Sequence, residues 1–156
     1  MGYGTIWRMG REDEARLWWE ERLPLDRPEI YLKFITDLEL QFLRAAIAFP
    51  ALTTAEIVRL KVDQMAFPKV SDPEWQAWYE NMATSPQPVY WVLEDFLDEL
   101  CRVTDQAETA KEWHARWDQN SLRTLDHAAS CLQEIVGFAI RARKNEWGAL
   151  SRTVGL

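Results

Sequence analysis

Carboxylates crowd the stretch from Glu94 to Glu112: Glu94, Asp95, Asp98, Glu99, Asp105, Glu108 and Glu112. Carboxylates three or four residues apart share one helix face, which is how helical sites hold Mg²⁺ or Mn²⁺. Asp95-x-x-Asp98 and Asp105-x-x-Glu108 supply two such pairs. They define one possible function, a divalent-metal-dependent all-α hydrolase acting on a phosphate ester or nucleotide. The competing account is structural. Leu93, Phe96, Leu97 and Leu100 mark an apolar face, so Glu94, Asp95 and Asp98 fall on the solvated side. Asp98 also has Arg102 four residues on, an ordinary surface pair.

The other residues with catalytic potential are sparse. His114 and His127 are the only histidines, and Lys111 and Thr124 stand where a di-iron E-x-x-H motif needs glutamate. His114 beside Trp113 and Trp117 reads as an edge-of-core residue, and His127 as a solvated one. No serine sits in G-x-S-x-G, and no glycine-rich loop precedes a helix to cradle phosphate. Cys101 and Cys131 have apolar neighbours at helical spacing, a poor setting for an activated thiolate. These observations favour a protein without catalytic activity and without a cofactor.

Arg141, Arg143 and Lys144, with Arg152 beyond Trp147, form the one basic cluster. Cations at a helix C-terminus complement its dipole. A weak anion-binding role toward phosphate, RNA or an anionic membrane is the sharper reading. The whole chain carries a formal charge of −7, which argues against nucleic acid as the main partner. Nine tryptophans, in contrast, point to protein contacts, because Trp dominates interface hot spots.

Proline and capping residues set the elements that hold these groups. A first helix is expected over 11–22, stopped by Pro24. A second runs from a capping box at Asp26 and Glu29 to Phe49, and a third from a box at Thr53 and Glu56 to Ala66. Trp75, Trp78, Tyr79 and Met82 recur at helical spacing on a short helix with an aromatic face. Long helices follow Pro88, with Asp105 as an N-cap and a turn at "DQNS". The last helix carries the seam Leu122, Leu125, Ala129, Leu132, Val136 and Ala139. "VYWVL" is β-prone but leads straight into a helical period. The fold expected is all-α: an antiparallel bundle of about five to seven helices, with a long C-terminal pair and shorter N-terminal helices. Residues 1–10 read as a flexible arm, 11–147 as a single all-α domain and 148–156 as a loosely ordered tail.

No secretory signal or membrane-length apolar run is present, so a cytoplasmic location is expected. In "EARLWWEERLP", Trp18 and Trp19 point about 100° apart on a helix, so one flat core cannot cover both. Leu23 follows Trp19 at i+4, which assigns Trp19 inward and Trp18 outward. Trp18, Trp7, Trp75, Trp78 and Tyr79 are therefore the expected partner-binding residues. The function expected is that of an adaptor, assembly factor or inhibitor, docking on another protein or on its own copy through aromatics in an acidic surround.

Overall fold

The computed structural model describes residues 3–117 and 123–155. Five antiparallel strands form one sheet: β1 (Gly4–Gly10), β2 (Glu29–Lys33), β3 (Asp63–Phe67), β4 (Val89–Val92) and β5 (Gly148–Val154). Their spatial order is β2-β1-β5-β4-β3, so the last strand in sequence closes the middle of the sheet. It pairs with β1 from Gly4↔Val154 to Gly10↔Gly148, and with β4 at Tyr90↔Ser151 and Trp91↔Leu150.

The all-α bundle is thereby overturned, and the fold is mixed α/β. The stretch expected as a flexible arm is β1, and the stretch expected as a loose tail is β5. Both are covered on two faces, so neither shows the alternation by which a half-buried strand is recognised. Their glycines are packing residues. A Cβ at Gly148 would lie 2.2 Å from the Trp91 ring, and one at Gly4 would lie 2.5 Å from the Leu32 carbonyl. Glu29 opens β2 instead of capping a helix. The helix itself begins later, at the T-x-x-E signal of Thr36 and Glu39, whose side chains are hydrogen-bonded to each other. The third expected helix keeps its Thr53/Glu56 capping box but ends at Ile57; a turn follows, and β3 begins at Asp63. "VYWVL" supplies β4.

The remaining helices are α1 (Ala15–Trp19), after a 3₁₀ turn at Glu12–Glu14, then α2 (Asp37–Ala48), α3 (Thr54–Ile57) and α4 (Trp75–Glu80). They are followed by α5 (Glu94–Cys101), α6 (Gln106–His114) and α7 (Leu125–Lys144). Helices α2, α5, α6 and α7 build a layer on one sheet face, with the 20-residue α7 packed on α5, α6, β2 and β5. Its buried face is Ala128, Cys131, Leu132, Ile135, Val136, Phe138, Ala139 and Ala142. Leu132, Val136 and Ala139 were expected there, whereas Leu125 and Ala129 are exposed. Leu122 and the "DQNS" turn lie outside the described residues. Trp7 projects from β1 into this layer and meets Phe96 and Phe138 edge to face at 6.1 and 5.9 Å.

A smaller core covers the opposite face, where α1 packs on β3 and β4. It contains Ala15, Trp18, Leu23, Ala66, Phe67, Val89, Trp91 and Leu150. Among the described residues, no helix is long and apolar enough to cross a membrane.

Candidate functional site

Helix α4 presents the most exposed aromatic ring among the described residues, that of Tyr79. Trp78 turns inward and is buried, which fixes the helix, while Trp75 is half-buried and Tyr79 is 59% exposed. The Trp75 ring lies 5.2 Å from that of Trp78 and stacks on Tyr79 at 6.1 Å. Met82 and Val70 add exposed apolar surface on the flanking turns. A two-pronged ion pair ties the helix to α1: Arg16 Nη1 and Nη2 donate to Glu74 at 2.5 and 3.1 Å. The same guanidinium lies 4.5 Å from the centre of the Phe67 ring. The i, i+3, i+4 spacing of the aromatics thus yields one buried anchor and a presented pair.

Three adjoining clefts meet at Glu12, with volumes of about 360, 430 and 310 Å³. The first runs over Arg16, Phe67, Lys69 and Asp72 toward α4. The second is floored by Trp91 and Gly148 and walled by Arg11, Glu94, Arg143 and Trp147. The third adds Gln64 and Asp95. A buried ion pair positions the 3₁₀ turn that carries Glu12. Glu14 is 4% exposed and accepts two hydrogen bonds from Arg27 at 2.9 and 2.7 Å. Those bonds outweigh burial and hold the Glu14 carboxyl below its usual range. Arg27 in turn lies 4.2 Å from the Trp147 ring centre. Trp91 and Trp147 were not singled out in the sequence. Trp91 sits in the "VYWVL" run, whose β-character was its one local signal.

The expected site residues are dispersed. Trp7 and Trp18 are core residues, 1% and 4% exposed, and are corrected from partner-binding to structural; Trp78 joins them as the anchor of α4. Of the metal-site residues, Asp98 accepts from Arg143 Nε at 2.8 Å, not from Arg102, and Asp105 caps α6 by accepting from the Glu108 N–H at 3.0 Å. Asp95 alone reaches the clefts. Among the described residues no group of three or more His, Cys, Asp or Glu is placed to hold a metal ion. In the basic cluster, Arg143 also contacts Glu94 at 3.3 Å. Arg152 is buried against the carbonyls of Gln87 and Trp18 and the Glu21 carboxylate. Arg141 and Lys144 are exposed, so the four do not converge.

His127 is half-buried, not solvated: its Nε2 lies 2.6 Å from the Lys33 carbonyl and 3.6 Å from Cys131 Sγ. Burial pushes the Cys131 thiol up to about 11 and raises Cys101 as well, which keeps both as neutral thiols near pH 7.

One titratable pair was not legible in the sequence. Asp37 opens α2 and Asp63 opens β3, and the two carboxyl groups are hydrogen-bonded to each other. Burial, with Asp37 beside it, pushes Asp63 up to about 8; burial also raises Asp37. The folded pair therefore holds a proton that the unfolded chain, with carboxyl groups near their ordinary value of about 4, has released. Its stabilisation is complete below that value and is lost as pH rises through about 8. Asp63→Asn keeps a donor toward Asp37 without the charge. It should melt close to the parent at pH 5 and several degrees higher at pH 9. That corresponds to about 1–2 kcal/mol, because Asp37 is exposed and water screens the pair. A lower melting temperature at both pH values would mean that Asp63 has an unrecognised polar role.

Comparison with family models, with curated proteins and with solved structures finds no match to this chain.

Proposed function

We propose that this protein acts by binding another protein, as an adaptor, assembly factor or inhibitor in the cytoplasm, and that α4 is its docking element. The observation that carries this reading is the Trp75–Tyr79 stack, presented at the surface on a helix anchored by Trp78 and by Arg16–Glu74. Rigid, amphipathic aromatics held in this way lose little freedom on association and are the usual centre of binding energy. Acidic groups adjoin them: Asp72 and Glu80 stand next to α4 in the chain, and Asp13 lines the same cleft as Asp72. The cleft at Glu12, Lys69 and Asp72 continues the surface toward the sheet. A partner with apolar side chains next to Lys or Arg complements both features, and the chain's net charge of −7 favours its approach.

The test is capture from the native cell with the full chain, alongside Trp75→Ala/Tyr79→Ala. Both residues lie outside the two buried cores, so the variant should stay folded by circular dichroism. Any partner should be retained at least about thirtyfold less well, as expected for the loss of a hot spot worth about 2 kcal/mol. A partner held equally by parent and variant would remove α4 from the mechanism.

A further inference from the structure

The sheet has two edges, and they are built differently. On β3 the register shifts between Met65 and Phe67, Pro68 follows directly, and the Asp37/Asp63 pair sits at its start. Bulges, proline and charges of this kind discourage pairing with another chain. The β2 edge has no bulge; Pro28 precedes it with its carbonyl already paired to Met9 N–H, and its two charges, Glu29 and Lys33, are of opposite sign.

Its hydrogen-bonding register follows from the two ends of the β1–β2 ladder. Met9 N–H donates to the Pro28 carbonyl at 3.0 Å, and Phe34 N–H donates to the Tyr3 carbonyl at 2.8 Å. Antiparallel pairs alternate, so Ile30 and Leu32 bond to β1 while the main-chain groups of Glu29, Tyr31 and Lys33 point outward. The His127 contact to the Lys33 carbonyl has that direction and engages this acceptor, so the groups left for a second strand are those of Glu29 and Tyr31 and the Lys33 N–H. Among the described residues, Glu29 and Tyr31 have no main-chain partner on this side. Their side chains are exposed too, with Tyr31 at 46% beside Tyr3 at 42%.

We propose that β2 pairs with β2 of a second copy of this chain, antiparallel and centred on Tyr31, to give a continuous ten-stranded sheet across a two-fold axis. The strand is complementary to itself. A two-fold axis at Tyr31 places each Glu29 opposite the Lys33 of the other copy, so opposite charges meet at both ends of the strand. Tyr31 faces its own equivalent, a favourable aromatic cross-strand pair. Ile30 and Leu32 stay on the helix side, already packed. A shift of register by one residue would separate the opposite charges and turn the side chains to the wrong faces. The pairing does not involve α4, and its outcome is independent of the proposed docking function.

Sedimentation velocity across a concentration series tests this with three full-length proteins. The parent should show a concentration-dependent dimer. Lys33→Glu places carboxylates opposite one another and should weaken the dimer at least about tenfold. The exchange Glu29→Lys/Lys33→Glu restores opposite charges across the axis and should restore the dimer. Thermal melting of the dilute monomers controls for folding, since Glu29 also pairs with Arg8 at 3.2 Å within the chain. A parent that stays monomeric at millimolar concentration overturns the proposal. So does a dimer that is indifferent to Lys33→Glu, or one that is lost in both variants while their monomers remain folded.

Discussion

Replacing Glu99 by alanine is expected to destabilise the domain by about 3–5 kcal/mol, although Glu99 belongs to a run of acidic residues. Glu99 and Arg44 are each 8% exposed and form a two-pronged pair at 2.7 and 3.0 Å. Arg44 also donates to the Lys61 carbonyl at 2.7 Å, so one guanidinium ties α2, α5 and the approach to β3 together. Removing either partner leaves an uncompensated charge in the interior. Arg44→Met alone should therefore be as damaging as Glu99→Ala. Arg44→Met/Glu99→Leu should recover much of the loss, because the charges then disappear together and apolar volume replaces them. Urea denaturation at neutral pH gives all three values. Single variants that each cost under about 1 kcal/mol would show that water reaches the pair.

Glu99 also illustrates what the sequence could and could not disclose. Helix periodicity correctly placed Phe96, Leu97 and Leu100 on the buried face of α5. It could not show that Arg44, 55 residues away, covers the adjacent glutamate. The helices were legible wherever cap and period agree, as at Thr53/Glu56, Asp105 and the body of α7. The strands were not, for a definite reason. Central strands enclosed on both faces lose the two-residue alternation. At Gly4 and Gly148 they also use residues that ordinarily signal a loop, because Leu32 and Trp91 leave no room for a side chain. Tyr31, Ile35 and Leu38 mimic a helical spacing while lying in the middle of β2, in the turn after it and at the start of α2. The candidate site divides in the same way. Spacing grouped Trp75, Trp78 and Tyr79 on one helix. Which ring anchors and which is presented depends on the surface beneath the helix.

The adjacent tryptophans of "ARLWW" give the most direct test of the second core. Trp18 lies within it at 4% exposure, with the Arg8 and Arg152 guanidiniums 5.7 and 5.9 Å from its ring centre. Its carbonyl accepts from Arg152 at 3.3 Å, so the ring and the arginine fix one another. Trp19, 100° round the helix, is half-buried and covered by Phe67, the ring centres 5.1 Å apart. The roles are thus the reverse of those inferred from Leu23, and the chain's own strands cover both rings. Trp18→Ala should cost about 3–5 kcal/mol, the usual loss for a large buried aromatic, and should also free Arg152 from its seat. Trp19→Ala should cost about 1–2 kcal/mol, since part of that ring already meets solvent. Trp19→Phe should be nearly neutral, because the indole Nε1 has no hydrogen-bond partner to lose while the contact with Phe67 can persist. Urea midpoints rank the three variants directly. If Trp19→Ala proved as costly as Trp18→Ala, α1 would be held by both faces equally, with Trp19 a full member of the small core beside Phe67.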